Sequence, residues 1–329
     1  MKTRRSWLRA VGILALVGVA FPRSAAATPF HFSTGTVNDQ MASASRQGNG
    51  SAVEIESADD FVLGQETRLT HATFTGLIPI GAAVGSITEV GVEFYRVFPN
   101  DSTTPPDGHV VTRVNSPSDV ELVGRDTADL NLSFAVSVLS GSFTAQNSVL
   151  NGINPSPNQQ TGGEGPVSGQ EVQFDVTFLT PVDLLADHYF FVPQVTLANG
   201  DFFWLSASRP IVPPGTPFAP DLQSWIRNEH LDPDWSRIGT DIVGPGPQGA
   251  PAPTFNSAFS LDGDALDVVP EPATLLLVGS GIALLGRCRR RRRENAGHGV
   301  SVTTDICSIV RPGAVPRFST RRFISAQIF

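Results

Sequence analysis

Three close pairs of carboxylates, Asp59 with Asp60, Asp232 with Asp234, and Asp262 with Asp264, are the residues of this chain best suited to acid–base chemistry. A glycoside hydrolase needs two such groups across a cleft, one to protonate the leaving oxygen and one to act as nucleophile or base. Oxygen-rich pairs on a secreted β domain also suit a structural calcium ion. Asp262-Gly263-Asp264 followed by Asp267 departs from the EF-hand order, and carboxylates in loops are more often simply solvated. The spacing therefore assigns neither a catalytic residue nor a metal ligand.

Other chemistries are poorly provided for. His31, His71, His109, His188 and His230 have no metal-ligand spacing between them, and there is no His-Glu-x-x-His helix and no Gly-x-Ser-x-Gly elbow. The only cysteines, Cys288 and Cys307, lie near the C-terminal end, so the central region has no disulfide, no zinc thiolate and no thiol nucleophile. Gly162-Gly163-Glu164-Gly165 lacks the Lys and Ser/Thr of a phosphate loop and reads as a flexible turn. Trp204, Trp225 and Trp235 admit two readings: a platform on which sugar rings stack, or filling for the core. Their exposure discriminates between the two.

The elements that must carry these residues are strands. The 329-residue chain has 31 Gly and 26 Pro but only 16% charged residues, a composition of many turns and few exposed helices. Val90, Val92 and Phe94 alternate with Glu89, Gly91 and Glu93. Leu132 to Val138 and Val172 to Phe178 alternate in the same way, as strands with one buried face do. Further strands are expected at Val53–Ser57, Arg68–Gly76, His109–Val114, His188–Leu197, Asp201–Ala207 and Thr254–Leu261, with Pro193 marking a bulge or an edge. Asn151 to Gly169 reads as a long loop, Asp221 to His230 as a short helix capped by Asp221, and Pro245 to Pro253 as a flexible connection. The expected fold is all-β, a two-sheet antiparallel β-sandwich of jelly-roll type.

Charge is unevenly spread. From Thr28 to Pro270, eight arginines stand against 28 carboxylates, a formal charge of −20, although the whole chain carries only −8. Such a domain repels polyanions, which argues against nucleic acid as a partner.

The two ends are different in kind. Residues 1–27 run from a basic stretch (Lys2, Arg4, Arg5, Arg9) through an apolar run, Ala10 to Phe21, to Ala25-Ala26-Ala27, the layout of a signal peptide. Thr3-Arg4-Arg5-Ser6-Trp7-Leu8-Arg9 resembles a twin-arginine export signal, which leaves the general and the twin-arginine routes both open. At the other end, Val269-Pro270-Glu271-Pro272 precedes the apolar Ala273 to Gly286 and then a basic cluster, Arg287, Arg289, Arg290, Arg291, Arg292 and Arg293. The prolines hold the chain extended, the apolar run reaches about 21 Å as a helix, and the arginines stop transfer on the cytoplasmic side. That length suits a transient membrane contact better than a permanent anchor.

This tripartite tail resembles the PEP-CTERM sorting signal of Gram-negative bacteria. The resemblance implies passage through the export machinery and cutting near Pro270-Glu271-Pro272 by a membrane-embedded exosortase, with display at the cell surface or release into the matrix. Ala58-Asp59-Asp60-Phe61 followed by strands is also similar to exported PEP-CTERM proteins, and supports the sandwich. Such tails normally finish at the arginine cluster, whereas this chain continues through residues 294–329, read as disordered or as a read-through.

The expected organisation is thus a signal peptide (1–27), a loose lead-in (28–49), a β-sandwich (50–267), the sorting signal with its short hydrophobic helix (268–293) and the atypical extension (294–329). The expected role is a non-enzymatic structural or adhesive module in an exopolysaccharide-rich envelope. A carbohydrate-binding module and a secreted glycoside hydrolase are the alternatives. No cofactor is expected beyond a structural calcium.

Overall fold

The computed structural model describes residues 27–48, 52–104, 110–153, 159–210 and 221–266. The signal peptide, the sorting signal with its hydrophobic helix, and the extension all lie outside the described residues. Ala25–Asp267 forms a compact unit of its own.

Fourteen strands occur in the described residues: β1 (Thr28–Ser33), β2 (Val37–Ala44), β3 (Ile55–Val62), β4 (Thr67–Ile78), β5 (Ile87–Arg96), β6 (Val123–Asp126), β7 (Leu132–Ala145), β8 (Ser148–Val149), β9 (Val167–Leu184), β10 (His188–Leu197), β11 (Phe203–Ala207), β12 (Trp225–Asn228), β13 (Ser236–Arg237) and β14 (Phe259–Ala265). They build two sheets, as the all-β sandwich reading expects. In the larger sheet, β4 is bordered on one side by β14 and β11 and on the other by β9, which carries β7; β1 lies outside β14, and β2 with β8 outside β11. The smaller has the order β13-β12-β3-β10-β5-β6. Pairing is antiparallel except between β2 and β8.

The main core lies between the sheets. Period-two alternation delivers Phe74 from β4, Phe174 from β9, Phe94 from β5 and Phe191 from β10 to one apolar layer. Phe74 stacks on Phe174 at 4.7 Å and Phe191 on Phe259 at 5.0 Å, within the range of favourable ring pairs. Gly76 is required where β11 meets β4, because a Cβ there would collide with the Phe202 ring and the Phe203 carbonyl.

A second layer covers the outer face of the six-stranded sheet. Tyr95, Phe190, Val192, Trp225 and Trp235 form an apolar cluster on that face. The connection from β5 to β6 and the segment between β12 and β13 fold over it. Arg113, 2% exposed, pins the two together: it pairs with Asp119 and with Asp234 at 2.7 Å, and its guanidinium lies 4.5 Å over the Phe98 ring.

Four sequence expectations are corrected. Residues 28–49 are no loose lead-in, since β1 pairs β14 and β2 pairs β11, and Met41 to Ala44 are buried by small side chains that show no apolar alternation. Asp221 caps no helix: Trp225–Asn228 is a strand on β3, and pairing with that strand overrides the local helical pattern. Val110 to Val114 is turn and coil rather than strand. β10 is covered on both faces as expected, but it is central rather than an edge and its bulge falls between Thr196 and Leu197; it tolerates Pro193 because its pairing with β3 runs only from His188 to Phe191, and beyond it the Ser45 hydroxyl donates to the Pro193 carbonyl at 2.6 Å.

Candidate functional site

The carboxylate pairs singled out by sequence do not converge on one cleft. Asp59 and Asp60 are neighbours on β3 and point to opposite faces. Asp59, fully buried, accepts the Ser257 N–H at 2.8 Å and the Ser224 hydroxyl at 3.2 Å. Asp60 accepts the Leu222 N–H at 2.7 Å and sits 2.6 Å from His188 Nε2. Desolvation, reinforced by the charge on Asp60, lifts Asp59 well above the carboxylate range. Desolvation raises Asp60 to about 6 against the opposing effect of His188. Both carboxylates act as anchors that hold the segment before β12 and the approach to β14 onto β3.

The other pairs are similarly divided. Asp234 is buried against Arg113, whereas Asp232 is exposed and accepts from Arg227 Nη1 at 2.7 Å. Asp262 faces His31 at 2.7 Å on the exposed pairing of β1 with β14. His71 reaches Asp175 at 3.0 Å, His230 is exposed, and His109 and Asp267 lie outside the described residues. Among the described residues no group of three His, Cys, Asp or Glu side chains is arranged to hold a metal ion. Trp204, Trp225 and Trp235 are each at most 1% exposed and belong to the core layers, so none offers a face to a sugar ring. Gly162 and Gly163, with φ of +80° and +81°, take the left-handed backbone that favours glycine in the segment before β9. In it Glu164 Oε1 accepts the backbone N–H groups of Leu150, Asn151 and Gly152, which outweigh desolvation and lower its pKa.

The structure instead assembles an acidic cluster that no spacing in the sequence announces. On the outer face of the six-stranded sheet, Glu56 of β3, Glu93 and Tyr95 of β5 and Arg227 of β12 meet. Arg227 grips Glu56 with two nitrogens, Nε on Oε2 and Nη2 on Oε1, the latter at 3.0 Å, and packs 4.4 Å over the Trp235 ring. Tyr95 Oη lies 2.8 Å from Glu56 Oε1 and 2.8 Å from Glu93 Oε2. The phenol has one hydrogen, so it donates to one of the two carboxyl groups at a time, and it accepts the Arg227 Nη2 N–H at 3.0 Å. Desolvation and then the nearby charge of Glu56 raise the Glu93 pKa to about 9, against the hydrogen bond that Tyr95 donates to it. Burial, with Glu56 and Glu93, pushes the Tyr95 phenol far up as well. Burial works against the Arg227 charge, but Glu56 more than compensates and raises its pKa.

The rim of the cluster is Glu54, Glu121, Gln194 and Asp232. Gln194 Nε2 donates to Glu54 at 2.9 Å, and Glu121 lies over Gly124, which pairs with Glu93 across β5 and β6. Desolvation raises both Glu54 and Glu121. Beyond Glu121, a cleft of about 420 Å³ is lined by Asp101, Ser102, Thr103, Val120, Glu121 and Leu122. Chemically, the arrangement is a protonated carboxyl beside a carboxylate clamped by arginine.

All eight arginines of the domain are engaged. Besides those above, Arg46 pairs with Asp201, Arg68 with Asp183, Arg96 with Asp101, Arg209 with Asp221 and Arg237 with Asp241, while Arg125 donates to the carbonyls of Gly124, Thr180 and Pro181.

Among the described residues no helix is long and apolar enough to cross a membrane. Comparison with curated proteins and with solved structures returns no match. A family model does match: the PEP-CTERM protein-sorting motif, over residues 268–293. That span contains Pro270-Glu271-Pro272, the apolar run and the arginine cluster, so the motif and the physical reading of the tail coincide. It marks a protein exported and sorted by an exosortase, with association at the cell surface. At residues 268–293 this chain thus carries the PEP-CTERM protein-sorting motif.

Proposed function

We propose that the sandwich is a structural or adhesive module of the cell surface or extracellular matrix, delivered by exosortase processing at Pro270-Glu271-Pro272. The observation that carries this reading is the sorting motif directly following a self-contained β domain. The interior adds support, because the side chains that sequence offers for chemistry are engaged in holding loops and strands together. Asp59 and Asp60 anchor backbone, and the three tryptophans fill the core. Exopolysaccharide is the proposed neighbour, contacted through the polar outer surface rather than through stacked indoles.

The test uses the full chain expressed in its own cells, with and without replacement of Pro270, Glu271 and Pro272 by alanine. Wild-type protein is expected at the surface or in the medium, shortened at its C-terminus, and the variant is expected to be retained in the inner membrane. Equal export of an unshortened variant overturns the processing role. Exported wild-type protein is then screened against a polysaccharide panel with and without calcium, with an assay for released reducing sugar.

The cluster at Glu93 favours a second reading, a glycoside hydrolase with Glu93 as acid and Glu56 as its carboxylate partner. Sugar release by wild-type protein that is lost in Glu93→Gln would select it; retention on polysaccharide without release selects the adhesive reading.

A further inference from the structure

The borders of the two sheets are mostly blunted. β6 has 4 residues, β8 and β13 have 2 each, and β1 carries Pro29, all familiar ways of refusing a further strand. β7 is different. It has 14 residues, and among the described residues it is paired on one side only, to β9. From Leu132 to Val138 its register with β9 is unbroken, and bulges follow between Val138 and Ser140 and between Ser140 and Phe143.

We propose that the free side of β7 binds the β7 strand of a second copy of this chain, antiparallel, across a twofold axis at Ala135. Three observations select that occupant. The first is charge. Copies of a domain with a formal charge of −20 repel one another almost everywhere, yet no side chain between Asp129 and Glu164 is ionisable. The nearest carboxylate on the adjoining strand, Asp175 opposite Ala135 on β9, would lie about 14 Å from its symmetry mate, three strand spacings away and beyond the screening length. Asp175 is also paired with His71.

The second is self-complementarity. A twofold at Ala135 sets Leu132 opposite Val138 and Phe134 opposite Val136 on the inner face, and Ser133 opposite Ser137 on the outer face. These are apolar and hydroxyl pairs of the kind that stabilise neighbouring strands, and the paired length ends where the first bulge begins. The third is exposed apolar surface: Leu130 is 80% exposed, Leu139 51% and Val138 49%. In this register Val138 of one copy falls opposite Leu132 of the other and is covered, while Leu139 and Leu130 lie just beyond the two ends of the paired length. The resulting contact is isologous and closes on itself as a dimer. It adds a partner to the structural reading above without resting on it.

The exported protein is examined by sedimentation equilibrium over a wide concentration range, beside Ala135→Lys and Ala135→Cys. The wild type is expected to dimerise reversibly. Ala135→Lys sets like charges directly opposite each other and is expected to weaken the dimer at least about tenfold at an unchanged melting temperature. With Cys288 and Cys307 replaced by serine, Ala135→Cys is expected to form a disulfide dimer on mild oxidation, whereas Ser133→Cys joins only a Ser137→Cys partner. A wild type monomeric at every concentration, or cross-linking that ignores this register, overturns the proposal.

Discussion

Glu93 holds a proton through neutral pH because it is buried beside Glu56, which outweighs the opposing hydrogen bond from Tyr95. The folded chain keeps this proton to about pH 9, whereas an ordinary glutamate loses it near 4.5. Folded protein therefore binds more protons over that interval, and stability falls as pH rises through it. Asp60 adds a step of the same sign between 3.8 and about 6. Asp39 and Asp183, lowered by hydrogen bonds to Gln146 and Arg68 respectively, act oppositely and lose their contribution only below the usual carboxylate range. The melting temperature is expected to peak near pH 4 and to drop by at least about 3 °C toward pH 9. In Glu93→Gln the fall above pH 7 should shrink while the step near 6 and the contribution of Asp59, raised by burial, remain; calorimetry showing equal slopes for both proteins would remove Glu93 from this role. The cluster was not legible in the sequence because Glu56, Glu93, Tyr95 and Arg227 come from three strands with no common spacing. A partial signal existed: Glu93 and Tyr95 are two apart on a strand with clear alternation, which puts them on one face.

At the scale of the element, β3 shows how alternation divides labour. Asp59 faces Ser224 and Ser257, Asp60 faces Leu222 and His188, and between them one strand secures two distant segments. Asp59→Ala removes an acceptor from a buried N–H and a buried hydroxyl, and is expected to cost about 3 kcal/mol. Asp59→Asn keeps one acceptor oxygen and should cost less. Chemical denaturation with equal midpoints for wild type and Asp59→Ala would contradict the anchoring. Strands with strict alternation, such as those containing Val90 to Phe94 and Val172 to Phe178, were readable because one face is apolar. β2 and β12 were not, since their burial uses Ala, Ser and Met in one case and Trp, Ile and Arg in the other, and their strand state comes from β11 and β3. Nor did alternation reveal that the outer face, carrying Glu93, lies under a second layer pinned by Arg113.

The whole molecule joins an anionic, proton-holding domain to an export tail, and the sequence announced that division through charge, the Pro-Glu-Pro motif and the apolar run after it. The complete pairing of the arginines has a consequence for survival outside the cell. The only lysine in the chain is Lys2, within the signal stretch, so the domain from Thr28 to Pro270 has no primary amine on any side chain. A trypsin-like protease must then cut at one of eight arginines, and each is held by a carboxylate or by backbone carbonyls. Timed digestion of native protein is expected to leave the domain whole long after a heat-unfolded sample has been reduced to fragments, and rapid cutting of the native form would show the pairing to be too loose to protect. A protein left at the surface among its neighbours' secreted enzymes would thereby gain persistence from the same few cations that tie its loops to its sheets.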